Sequence, residues 1–150
     1  GSVALHLPHA HQRLMGFNRF LRSESSLPKK LQELAMLVTA RELDCQYIWN
    51  AHAASARAAG VSDALVDALR ERKELPTLPD DETAVVRFGQ EFFRTHRVSR
   101  GIFQLAMERL GQRGAIELAL FFGNYASLAL LVNSFDVDLP PERKELLLPV

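Results

Sequence analysis

Apolar residues recur along this chain at intervals of three and four, and strict alternation never lasts more than a few residues, so the pattern predicts helices and no sheet. Leu14, Phe17, Phe20 and Leu21 mark a first helix over 9–22, with Arg13, Arg19 and Arg22 elsewhere on its wheel. Ser25-Ser26-Leu27-Pro28 offers an N-cap and a proline suited to a first turn; Leu31, Leu34, Leu37 and Val38 then carry a second helix toward Leu43. Asp44, a poor interior residue and a good N-cap, predicts a third helix over 45–59, closed by Gly60. Ser62-Asp63 caps a short fourth helix through Leu65, Val66 and Leu69, and the charged run 70–74 with Pro76 and Pro79 forms a connector. A fifth helix starts on Asp80-Asp81-Glu82, with Val85, Val86, Phe88, Phe92 and Phe93 as its apolar face. Ser99 caps a sixth that ends near Gly111, and Gln112-Arg113-Gly114 opens the most apolar one, over 115–133, expected to be the central buried element. Segments 1–8 and 137–150 are expected to be extended tails. The sum is an all-α, compact bundle of six to seven helices in one domain spanning 1–150.

Composition sharpens this picture. The 150 residues are 47% hydrophobic and 24% charged, enough to bury a core without staples, and unlike a disordered chain. Formal net charge is zero and the two signs alternate, which argues against nucleic-acid or membrane-surface partners. A single cysteine, Cys45, excludes an internal disulfide and a thiolate metal cluster. With no basic, then apolar leader at the start and no uninterrupted run of the ~20 apolar residues a membrane span needs, a cytoplasmic protein is expected. His9-x-His11 lies near the terminus and no His-Glu-x-x-His occurs, so no metal site is expected; no glycine-rich phosphate loop points to a nucleotide cofactor.

The chemistry concentrates on one helix stripe. Cys45, Ile48, Trp49 and His52 stand at i, i+3, i+4 and i+7, all on one face. A thiol in the first turn meets free amides and the positive dipole end, which favour the thiolate, and an imidazole nearby would lower its pKa further. Two turns, roughly 10 Å, separate Cys45 from His52, so a third group must mediate any coupling. Glu33 fills that role if the second and third helices pack antiparallel.

Glu33, Cys45 and His52, with the helix-rich layout, the stretch Thr95-His96-Arg97-Val98-Ser99 and the late Glu117-Leu118 helix, resemble the carboxymuconolactone decarboxylase family, including its alkylhydroperoxide reductase (AhpD-like) branch. That branch has a glutamate, a Cys-x-x-Cys pair and a histidine four residues on; here the second cysteine is Ile48. Without it, an intramolecular dithiol–disulfide cycle cannot run. The decarboxylase branch reads Glu-Trp-x-x-His, and Trp49 and His52 match it while Ile48 again replaces the glutamate.

The resemblance implies cofactor-free loss of CO₂ from a small carboxylated lactone of aromatic catabolism. In that reading His52 is the general acid, Glu33 orients it, Trp49 walls the pocket and Arg41 attracts a substrate carboxylate. Two alternatives stand beside it: a one-cysteine peroxide-reducing protein working through a Cys45 sulfenic acid, and a non-catalytic helical binding module. The resemblance and the many apolar helix faces imply a homo-oligomer, a trimer or hexamer, acting on a small-molecule substrate.

Overall fold

The computed structural model describes residues 3–150 and contains, among them, seven α-helices and no strand. In chain order these are α1 (Val3–His6), α2 (Pro8–Glu24), α3 (Lys29–Glu42), α4 (Gln46–Ala58), α5 (Asp63–Glu71), α6 (Asp80–Thr95) and α7 (Arg100–Ser134). Gly111 takes a left-handed backbone (φ 73°, ψ 171°) that splits α7 into two helical runs, 100–110 and 112–134, at the break expected from the sequence.

The centre of the molecule is α3. All residues from Leu31 to Arg41 are buried, because α4, α5, α6 and α7 pack around it on successive faces. Leu34 and Leu37, both fully buried, each contribute about 1.5–3 kcal/mol of apolar burial. This corrects the expectation that the segment 115–133 would be the central element. That segment turns Leu118, Phe121, Phe122 and Tyr125 to the core but leaves Ile116, Leu120 and Leu130 on the surface. Its apolar residues run all round the helix, whereas a single neighbour layer covers only one side. The 35-residue α7 is long and apolar enough to cross a membrane by length and composition, a property shared with core helices of water-exposed folds.

The α3–α4 link is a tight reversal. Asp44 sits in the left-handed region (φ 49°), the Cys45 amide donates to the Ala40 carbonyl (2.7 Å), and the Asp44 amide donates to that of Arg41 (3.3 Å). This is a Schellman closure of α3. Asp44 is therefore the residue that ends α3, not the N-cap of α4; Cys45 holds that place with no side-chain cap. Aspartate tolerates the left-handed conformation better than most residues, which lets one polar residue terminate a helix as well as start one. Gly60 closes α4 the same way (φ 105°), and the hydroxyls of Ser62 and Ser99 cap α5 and α7.

The two ends depart from free extended tails. Val3–His6 is helical and Pro8 is already the first residue of α2, where its missing N–H costs nothing; Gly1 and Ser2 lie outside the described residues. Segment 137–150 has no helix, yet it is tied down as a strap. Gln46, Trp49 and Arg70 donate side-chain hydrogen bonds to the carbonyls of Leu148 (2.7 Å), Leu146 (3.1 Å) and Leu147 (2.7 Å), and Leu148 joins the core.

Two glycines report on how tightly these helices fit. A Cβ on Gly89 would come within 2.6 Å of the buried Phe122 ring and 2.7 Å of Val38 Cγ1, whereas one on Gly123 meets nothing within 4 Å. Gly89→Ala should lower stability by about 1–3 kcal/mol through overpacking, while Gly123→Ala should raise it by roughly 0.5–1 kcal/mol through helix propensity, as read from urea midpoints. Equal effects of the two would contradict this packing.

Ahead of α3, the Glu117 carboxylate accepts from the amide (2.9 Å) and hydroxyl of Ser26. Burial opposes the charge, but these hydrogen bonds, with Ser25 and Arg113, hold the carboxyl below its usual range. Because the folded-state pKa is depressed, the stabilisation is complete above the unfolded value of about 4.3 and disappears as pH falls through the lower folded value. Between pH 7 and pH 3 the wild type should therefore lose more stability than Glu117→Gln. The variant itself should be about 1–2 kcal/mol weaker at pH 7. Urea unfolding at both pH values checks this, and identical pH profiles would contradict it.

Candidate active site

The reversal at Asp44 lays α4 back antiparallel along α3 and brings Glu33 opposite His52. His52 Nδ1 donates to Glu33 Oε2 at 2.9 Å, the half of the expected bridge that an antiparallel pair supplies; the other half, from Glu33 to Cys45, is not formed, because Cys45 lies in the apolar core. The Glu33 side chain is 2% exposed and that of His52 is 14%, so the carboxylate is sealed while one edge of the imidazole reaches the surface. Among the described residues Nε2 has no hydrogen-bond partner. Fixing Nδ1 on a carboxylate sets the ring's orientation and leaves Nε2 to take or give a proton.

Helices α2 and α7 complete the site. Arg22 Nη2 stands 3.6 Å from Glu33 Oε1 with its side chain 36% exposed, joining the buried carboxylate to the surface. The Tyr125 ring meets the His52 ring edge-on at 5.7 Å. Burial pushes the Tyr125 hydroxyl up to about 12, with Glu33 adding to the rise and Arg22 and Asn18 opposing it, so it stays a neutral phenol at any working pH. Asn124 Nδ2 in turn donates to Asn18 Oδ1 (2.9 Å). Arg22, Tyr125 and Asn18 were not among the residues expected from the sequence. The signal available was weak: an asparagine and a tyrosine, Asn124 and Tyr125, inside an otherwise apolar helix.

The other expected site residues lie apart from this pair. Cys45 is 0% exposed and part of the core cluster. Burial pushes its thiol pKa up, against the weaker pull of the Ile48 and Tyr47 amides at the start of α4. The expected depressed thiolate pKa is thus reversed: the amides are where the helix start should place them, but desolvation outweighs them. Trp49 is fully buried, its indole N–H donating to the strap at Leu146, so it packs beneath the chain end and walls no open pocket. Arg41, eight residues along α3 from Glu33, lines a different cleft, roughly 12 Å further along the axis. Among the described residues no three His, Cys, Asp or Glu side chains gather as metal ligands would.

A buried carboxylate bonded to a surface-reaching histidine on a two-helix reversal, inside an all-α bundle, defines a helical protein with an acid–base pair. The model of the carboxymuconolactone decarboxylase family matches residues 8–87, more than half of the chain and the part that holds both Glu33 and His52. The chain belongs to that family. Its fold also matches the crystal structure of a protein of unknown function from Agrobacterium tumefaciens, proposed there to be an antioxidant defence protein of the AhpD kind. The TM-score is 0.83 at 15% identity, covering 95% of this chain and 98% of the other. At that identity the likeness speaks for the fold, an AhpD-like bundle. No curated protein matches the chain in sequence.

Sealing of Cys45 has a direct readout. In the native protein, alkylation of Cys45 by a small maleimide should be at least about 100-fold slower than in urea and unchanged by His52→Ala, since reaction requires local opening of the α3–α4 turn. Fast, His52-dependent alkylation would contradict the buried, uncoupled thiol.

Proposed function

We propose that this protein is a cofactor-independent acid–base enzyme, a decarboxylase-like lyase acting on a small carboxylated lactone or related organic acid. The observation that carries this reading is the Glu33–His52 hydrogen bond, with a buried carboxylate holding an imidazole whose free nitrogen faces outward. In the reaction proposed, the C–C bond to the substrate carboxylate breaks and CO₂ leaves. The electron pair passes into the lactone as an enolate, and His52 Nε2–H delivers a proton to carbon. Glu33, accepting from Nδ1–H, keeps the ring in place through the transfer. Arg22, joined to the same carboxylate and partly exposed, is the cation placed to attract the substrate or its enolate oxygen. Arg41 is replaced in this role because it lines another cleft.

Membership of the carboxymuconolactone decarboxylase family supports the reaction class. Peroxide reduction draws no support from Cys45, whose burial and raised pKa both work against a nucleophilic thiolate. The exposed apolar residues Ile116, Leu120 and Leu130 on α7 support a homo-oligomer in which a neighbouring copy covers that face.

CO₂ release from a panel of small carboxylated lactones tests the reading. His52→Ala should lower kcat by about 10²–10⁴-fold, as loss of a general acid does. Glu33→Gln, which keeps a hydrogen-bonding group but removes the charge, should lower kcat by roughly 10–100-fold. Full activity in His52→Ala would overturn the proposal, and so would a wild type that releases no CO₂ but consumes peroxide through Cys45.

A further inference from the structure

At the opposite end of α3 from Glu33, a cleft of about 150 Å³ opens between α3, α5 and α6. Five cations line it, Arg41, Arg72, Lys73, Arg87 and Arg94, against two carboxylates, Glu42 and Glu74. Glu42 is already held by Arg94. Asp44, at the turn, is shared by Arg41 Nη1 (3.1 Å) and Arg72 Nη2 (3.0 Å). Arg87 has only the Gln90 side-chain oxygen, at 3.2 Å, and no carboxylate among the described residues.

Arg41 is the most informative member. It is 6% exposed, and its Nε is buried without any hydrogen-bond partner. A buried guanidinium donor left unpaired carries a desolvation penalty that native structures ordinarily avoid. Burial and the neighbouring Arg72 both lower the Arg41 pKa, so its charge is held at a disadvantage that a bound anion would relieve. Guanidinium groups present forked donors suited to the oxygens of carboxylate or phosphate.

We propose that this cleft is a binding site for a small oxyanion, with Arg41 at its floor and Arg72 and Arg87 at its rim. The site is separate from His52: Arg41 and Glu33 are eight residues apart on one helix, about 12 Å along its axis. The cleft is below the usual size of a drug-like pocket and suits an anion of a few heavy atoms, a phosphate or a short-chain carboxylate. Such a ligand would bridge α3, α5 and α6 and stabilise the folded chain by mass action.

The test is thermal unfolding in potassium phosphate, sodium succinate and potassium chloride at matched ionic strength. At about 10 mM, one of the two oxyanions should raise Tm by roughly 3 °C or more above chloride. Preference for phosphate assigns a tetrahedral ligand, and preference for succinate a carboxylate. Arg87→Gln, on an exposed residue with no carboxylate partner, should fold normally and lose at least half of the shift; Arg72→Gln should do the same. His52→Ala should keep the shift in full, separating this site from the acid–base pair. A rise no greater than that in chloride, or one undiminished in Arg87→Gln, would overturn the proposal.

Discussion

A carboxylate buried in the middle of the central helix constrains much of what surrounds it. Glu33 lies on the stretch of α3 that is buried along its whole length, and a charge so placed must be paired, since removing one partner of a buried pair costs several kcal/mol. The partners come from two different helices: His52 from α4 at 2.9 Å and Arg22 from α2 at 3.6 Å. Satisfying Glu33 therefore fixes how α2 and α4 lie against α3. The same requirement creates the candidate reactive group, because the imidazole that satisfies the carboxylate is left with one nitrogen toward the surface.

The α3–α4 reversal decides which other residues can take part. With Asp44 as the left-handed closing residue, α4 starts one residue later than an Asp44 cap would give, and Cys45 falls into the core beneath the turn. The thiol and the imidazole share a helix stripe but not an environment. Two turns of helix carry the stripe from a fully buried position to one where the side chain is 14% exposed. The strap from 137–150 completes the separation by covering Trp49 between them.

Much of this was legible in the sequence. Six of the seven helices follow from a 3.6-residue apolar period and its Ser, Pro and Gly punctuation, and the Glu33–His52 pair follows from the spacing across one short reversal. What failed did so for physical reasons. Aspartate serves both helix starts and helix ends, so Asp44 was ambiguous. An apolar residue on every side of 115–133 gives no period from which to choose the buried face, so α7 read as more central than it is. Arg22 and Tyr125 reach Glu33 and His52 from helices distant in sequence, beyond any local pattern. Arg41 shares a helix with Glu33, but eight residues turn it away and carry it to the other end.

Position 48 bears most directly on the chemistry. Both family branches that the chain resembles carry a reactive or charged group there, a cysteine or a glutamate, whereas Ile48 is apolar and 4% exposed. A polar side chain at so buried a position would need a partner, and the neighbouring side chains Cys45 and Trp49 are themselves packed in the core. Isoleucine removes that need and with it any titratable group between Cys45 and His52 on the α4 stripe. A thiol relay from Cys45 toward His52 thus has no intermediate carrier along the helix. At the His52 end Glu33 supports the imidazole from behind and Tyr125, held as a neutral phenol, lines its edge. The decarboxylation proposed above asks for a single proton transfer on one nitrogen, which one imidazole held by one carboxylate can supply, whereas a thiol redox cycle needs a second sulfur.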